Sequence, residues 1–196
     1  MRLILASASP RRAELLRAAG YAFDVAAADV DESPREGESP SLYVRRLAAE
    51  KSAAVSAKAP AGAIVLGADT TVVVDDAILA KPRDDVDASA MLRRLSGRRH
   101  DVITGVSLRC GAFEIGRVES TAVVFAPLTD DEIAWYVGTG EGRDKAGAYA
   151  IQGYASRFIP RIEGSYSNVV GLPVACVREL LTEISGTRPD RASPRR

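Results

Sequence analysis

Strand-like apolar runs and helix-start signals alternate along this chain from its first residues to its last helix. That alternation confines the fold class to α/β or α+β, with a central mixed β-sheet and flanking helices. Residues 2–6 read as a buried strand, and Ser9-Pro10 follows at once with an N-cap and a proline at the first helical position. Leu15, Leu16 and Ala19 share one face of that helix, and Gly20 suits its end. Residues 21–27 are expected to return as a strand. Residues 28–38, with Asp29, Asp31, Glu32, Glu36 and Glu38, read as an acidic loop. Ser39-Pro40 repeats the cap signal and predicts a helix to about Lys58, with Leu42, Val44, Leu47, Ala48 and Val55 as its apolar positions.

An apolar run over 63–68 reads as a strand ending in Gly67-Ala68-Asp69-Thr70, and 72–74 continue as β-branched residues before an Asp75-Asp76 turn. A short helix is predicted over 88–95, closed by Ser96-Gly97. Two strands with a turn near Gly111 are predicted between His100 and Phe125. Thr129-Asp130-Asp131-Glu132 is a capping box that starts a helix through Trp135 and Tyr136, both read as core. Residues 144–171 read as irregular and glycine-rich. Pro173 to Ile184 reads as a last helix with Val177, Leu180, Leu181 and Ile184 inward. With no repeat and no long linker, residues 1–186 form one domain, and 187–196 are expected to be frayed or disordered.

Charge and scarcity narrow the function. Lys plus Arg and Asp plus Glu balance at 26 each, which argues against a nucleic-acid coat. His100 is the sole histidine, so no multi-histidine zinc site and no HExxH exist. Cys110 and Cys176 are too far apart for a CxxC pair and suit reduced thiols in a cytoplasmic protein. No apolar run approaches the roughly 20 residues of a membrane span.

Four groups of residues carry candidate chemistry. Ser7, Ser9, Arg11 and Arg12 lie where a strand passes into a helix N-terminus, a place that favours phosphate, although GxxxxGK[ST] is absent and an ordinary strand–helix turn would look similar. Asp69 is expected at the end of a buried strand, at the rim of the sheet, where a carboxylate can hold a divalent ion or activate water; an Asx turn competes with that reading. Lys51, Lys81 and Lys145 stand out because this chain has only four lysines against 22 arginines, and a compact ammonium suits phosphate as a point charge. Asp31 and Glu32 form the acidic group, for which solvation alone is sufficient reason. His100, without a GxSxG elbow, reads as a polar strand-end residue. Gly138-Thr139-Gly140-Glu141-Gly142 is not GxGxxG and reads as a flexible turn.

Taken in order, several segments resemble the Maf family of nucleoside triphosphate pyrophosphatases. They begin with Leu5-Ala6-Ser7-Ala8-Ser9-Pro10-Arg11-Arg12, Val30-Asp31-Glu32 and Ala49-Glu50-Lys51, followed by Gly67-Ala68-Asp69-Thr70 and Lys81-Pro82. Further matches are Leu95-Ser96-Gly97 with His100, the stretch from Asp144 through Lys145 to Gln152-Gly153, Gly164-Ser165-Tyr166, and Asn168 to Pro173. The resemblance implies a Maf/inosine-triphosphatase-like fold with two lobes around a cleft, and often a homodimer. It implies hydrolysis of a nucleoside triphosphate to the monophosphate and pyrophosphate with Mg²⁺, or Mn²⁺ in its place. Asp69 corresponds to the family's proton acceptor. Arg11, Thr70 and Gln152 match the specificity positions of the dTTP/UTP subfamily, whereas Ala150 stands where the family usually has Gly. On this basis Glu32 is expected beside Asp69 on the metal or the water, and Arg12, Lys51, Lys81 and Lys145 on phosphates. Ser7 and Ser9 would donate hydrogen bonds to phosphate oxygens. The competing expectations are a nucleotide-binding regulator of septum formation with little turnover, and a pyrophosphatase for a modified nucleotide such as 7-methyl-GTP.

Overall fold

A computed structural model of the chain describes residues 2–186. The tail expected over 187–196 lies outside the described residues. In chain order the elements are β1 (Leu3–Ala6), α1 (Pro10–Ala18), β2 (Asp24–Val25), α2 (Pro40–Ser56), β3 (Ile64–Val74), β4 (Ala77–Leu79) and α3 (Asp85–Leu95). There follow β5 (Arg99–Cys110), β6 (Phe113–Val124), α4 (Asp130–Gly138), β7 (Arg161–Glu163), α5 (Tyr166–Val170) and α6 (Val174–Gly186). Two 3₁₀ turns, Ala146–Ala148 and Tyr154–Phe158, lie between α4 and β7.

The strands form one seven-stranded mixed sheet in the order β2-β1-β3-β5-β6-β7, with β4 also on β3. β1 runs parallel to β3 and pairs with it from Leu3↔Ile64 to Ala6↔Gly67. β4 returns antiparallel on the same side of β3, from Val72↔Leu79 to Val74↔Ala77. β5 occupies the other side of β3 from Val65 to Val73. Residues 68–71 of β3 therefore have a strand neighbour on one side only, and that opening spans about 13 Å of extended chain. β1 and β4 both end at its margins.

Three apolar clusters pack among the described residues, a small one around Ile4, Val55 and Val65 and two larger ones strung along the long strands. One of the larger two packs α1 and α6 through Leu16, Val177 and Leu180 against Leu5, Leu66 and Leu108. The other gathers Leu92, Leu95, Phe125, Tyr136 and Phe158 around Val72, Val74 and Val102. The opening in β3 lies between them, which gives two lobes around a cleft.

Helix α2 lies unusually close to the sheet. A Cβ on Gly67 would meet the Ala48 carbonyl oxygen at 2.2 Å, and one on Gly105 would meet that of Val44 at 2.2 Å. Only glycine leaves room for this approach.

Several expectations are corrected. The strand expected over 21–27 shrinks to Asp24–Val25, which pairs only with Ile4 and Leu5 of β1. β3 is one continuous strand of 11 residues, so Asp69 sits in its interior and not at a strand end. Gly67 marks a close helix contact, not a break. α3 starts before residue 88, at Asp85, because the Asp84 side chain accepts from the Asp87 N–H at 2.7 Å and caps it. Leu42 points to solvent. Tyr136 is core, but Trp135 is 44% exposed, because consecutive helical residues face different directions. The stretch read as irregular contains β7 and α5.

Candidate active site

β-strand alternation points Asp69 toward α2 and Thr70 toward α1 and α5. Because the β3 edge is open here, both residues line one cleft of about 570 Å³. Every residue singled out from the sequence as catalytic or substrate-binding also lines it: Ser7, Ser9, Arg11, Arg12, Glu32, Lys51, Lys81, Lys145 and Gln152.

At the floor, Lys51 Nζ donates to Asp69 Oδ1 at 2.7 Å and lies 2.5 Å from Glu32 Oε1. Lys51 belongs to the buried stripe of α2 with Val44, Leu47, Ala48, Ser52 and Val55. The glycine contacts that bring α2 onto the sheet deliver this ammonium to the strand. Asp69 is 7% exposed, and burial raises its carboxyl above the usual range, although Lys51 and Arg12 pull it the other way. Burial also opposes the charge on Glu32. The hydrogen bond from Lys51 and the charges of Lys51, Lys81 and Arg12 outweigh it and hold that carboxyl low.

Arg12 is buried, and its guanidinium donates to the Gly171 carbonyl (2.8 Å), Ser7 Oγ (3.1 Å) and Thr70 Oγ1 (3.1 Å). Each terminal nitrogen retains an N–H for a ligand. Ser7 Oγ also accepts from the Ser9 N–H at 3.2 Å. Thr70 Oγ1 meets Thr104 Oγ1 at 2.9 Å and the Gly171 carbonyl at 3.2 Å. Elsewhere on the cleft lining, Arg11 Nη1 lies 3.3 Å from Asp144 Oδ2, and Lys145 pairs with the other oxygen of that carboxylate. Lys81 and Gln152 are exposed on the cleft walls.

Sequence reasoning missed three supports. Tyr43 Oη donates to the Glu32 carbonyl at 2.9 Å, and burial, with Asp69 and Glu32 nearby, pushes the phenol up to about 12. Tyr43 lies eight residues before Lys51 on α2, near the same helix face, which is a readable signal. Arg46 donates to Glu38 at 2.6 Å and to the Ser33 carbonyl at 3.1 Å, so the acidic loop is tied down and not merely solvated. Asp144 holds two cleft cations, a pairing with no local sequence signal. His100 lies outside the cleft, 2% exposed, with Nε2 2.8 Å from Tyr149 Oη. Burial lowers its pKa to about 4, as suits a structural residue.

Glu32 and Asp69 lie near enough to share one cation, and the Lys51 ammonium stands between them. No group of three or more His, Cys, Asp or Glu side chains that could hold a metal exists among the described residues. Two carboxylates without a protein cage fit Mg²⁺, which keeps waters and takes its other ligands from substrate phosphates. No helix among the described residues is long and apolar enough to cross a membrane.

Known proteins are similar to this chain along nearly its whole length. A dTTP/UTP pyrophosphatase of Symbiobacterium thermophilum is 55% identical over 181 residues, which cover 92% of this chain and 93% of that protein. A dTTP/UTP pyrophosphatase of Myxococcus xanthus is 52% identical over 191 residues, covering 97% and 96%. Among solved structures, the Ham1 protein of Staphylococcus aureus shares the fold at 14% identity, with a TM-score of 0.50 over 96% of this chain and all of that one. The family model for Maf-like protein matches residues 2–184, and the chain belongs to that family.

Proposed function

We propose that this chain hydrolyses dTTP and UTP to the nucleoside monophosphate and pyrophosphate. The observation that carries the reading is the buried Asp69 carboxylate, paired to Lys51 at the floor of a cleft walled by arginine, lysine and serine.

In the reaction, a water oxygen attacks the α-phosphorus and the bond to the α,β-bridging oxygen breaks. Asp69 takes the water proton. Its burial makes it a stronger base than an exposed aspartate, and Lys51 and Arg12 keep it ionised. The pyrophosphate leaves with the bond's electron pair, and its charge is met by Lys81, Lys145, Arg11 and the free N–H groups of Arg12. Such positioned cations supply most of the catalysis in phosphoryl chemistry. For Arg11 and Lys145 this requires exchange of Asp144 for phosphate. Ser7 and Ser9 add hydroxyl donors. Asp69 and Glu32 would hold Mg²⁺, which when bound lowers the pKa of water and neutralises phosphate charge.

Gln152 lines the cleft from the turn between the two 3₁₀ segments. Its amide presents a donor and an acceptor, the complement of the O4 and N3–H edge shared by uracil and thymine.

The test is a panel of canonical and modified nucleoside triphosphates with Mg²⁺ or Mn²⁺, scored for pyrophosphate. The expected result is pyrophosphate from dTTP and UTP. Orthophosphate as the product, or binding without turnover, overturns the reading.

A further inference from the structure

A side-chain amide contacts a base edge only where its main chain sets its reach, so the reading of the base by Gln152 depends on how its turn is mounted. The turn that carries Gln152 belongs to neither a long helix nor a strand. It is held by two residues outside the cleft lining, at the end of α4 and in the glycine-rich turn after it. Tyr136 Oη accepts from the Ala150 N–H at 3.1 Å and donates to Glu141 Oε2 at 2.7 Å. The Glu141 carboxylate accepts from the Tyr154 N–H at 2.9 Å and the Ala155 N–H at 3.4 Å. The main chain is thus gripped two residues before Gln152 and again two and three residues after it.

The fit leaves no slack. A Cβ on Gly153 would lie 1.7 Å from Glu141 Oε1, and one on Gly142 would lie 2.1 Å from the Ala148 carbonyl oxygen. Ala148, a non-glycine residue, sits at a φ of 59° just before this turn, a conformation that persists only where surrounding contacts enforce it. Tyr136 is 1% exposed, so its hydroxyl has no water to replace either partner.

We propose that Tyr136 and Glu141 are positioning residues that set base discrimination by clamping the Gln152 turn. The inference rests on the reading of Gln152 as the base-contacting residue. The segment Gly138-Thr139-Gly140-Glu141-Gly142 is then a built part of the specificity apparatus, not a flexible connection.

The experiment compares Tyr136→Phe, Glu141→Gln and Gln152→Ala. For each, kcat and KM are measured on UTP, on CTP, and on methyl triphosphate, which has the phosphates but no base. Thermal melting of each variant is followed in parallel. Tyr136→Phe and Glu141→Gln are expected to raise KM for UTP about tenfold, the scale of one lost buried hydrogen bond to a charged group. Their kcat should stay within about threefold, and the UTP-over-CTP ratio of kcat/KM should fall about tenfold. Turnover of methyl triphosphate should be unaltered. In the Gln152→Ala background the clamp substitutions should have no further effect on the ratio, because a clamp without its amide has nothing to position.

Equal losses on all three substrates, or an unaltered ratio in well-folded variants, overturn the clamp while Gln152→Ala still lowers the ratio. If Gln152→Ala itself leaves the ratio unchanged, the base-reading role fails and the clamp falls with it. Should Tyr136→Phe not fold, Glu141→Gln, which retains the shape of the side chain, decides alone.

Discussion

In the cleft, Asp69 and Lys51 stand on an 11-residue strand and a 17-residue helix pressed together by glycines. Gln152, by contrast, stands on a turn between 3₁₀ segments, held by side chains reaching from α4 and its following turn. Regular elements fix the reacting groups through main-chain pairing, which tolerates few alternatives. The Gln152 turn is fixed by individual hydrogen bonds, which can be altered one at a time. The first arrangement suits chemistry common to all triphosphates. The second suits a choice among bases.

That contrast can be broken most directly at Asp69. Asp69→Asn keeps the shape and removes the proton acceptor, so kcat should fall about a thousandfold with KM little changed. Steady-state pyrophosphate release measures it, and a loss under tenfold would remove Asp69 from the role of base.

Gly67→Ala tests whether the reacting side depends on main-chain proximity. The new methyl would push α2 away from β3 and carry Lys51 with it. The expected loss is about a hundredfold in kcat/KM, with about 2–3 kcal/mol of stability in urea denaturation. An active, fully stable variant would show that the helix approach does not matter.

The side-chain-built lobe should answer to acid through His100. Its folded pKa, about 4, lies below the ordinary 6.5. Between those values the unfolded chain binds a proton and the folded chain does not, so stability rises with pH across the window. Acidification from pH 7 to pH 5 should cost about 2 kcal/mol from this group. His100→Gln should flatten that slope in urea titrations at the two pH values; an unchanged slope would place the acid sensitivity elsewhere.

The smallest effect is expected at Trp135. It is partly exposed, with the Arg157 guanidinium 4.8 Å from its ring centroid, and it shares a helix turn with Tyr136. Trp135→Leu should cost about 1 kcal/mol or less and leave the UTP-over-CTP ratio intact. A changed ratio would extend the clamp to this neighbour.

The legibility of the molecule in its sequence follows the same division. β1 and α1 were readable because an apolar run and a proline at the first helical position are local signals, although Ser9 makes no side-chain cap bond. The capping box of α4 was readable for the same reason, and both of its reciprocal bonds form. Residues such as Lys51 and Asp69 could be listed from motif order, and they converge in one cleft. The place of Asp69 within β3 was not legible. Gly67 looks like punctuation in one dimension, and its partner in the close approach, Ala48, comes from a different element. β7 and α5 are too short to establish a period. The Arg11–Asp144 pair and the Tyr136 bond to Ala150 join distant segments whose proximity exists only after the sheet has assembled.

The unpaired stretch of β3 has one more consequence. An open strand edge ordinarily invites pairing with another chain and so aggregation. Here the opening is only residues 68–71, bounded by β1 on one side and β4 on the other. It is shorter than the five or six residues of a usual strand. A foreign peptide would find too little edge to join, while a small molecule fits the cleft. This opening can therefore admit a nucleotide and still offer too little edge to a polypeptide.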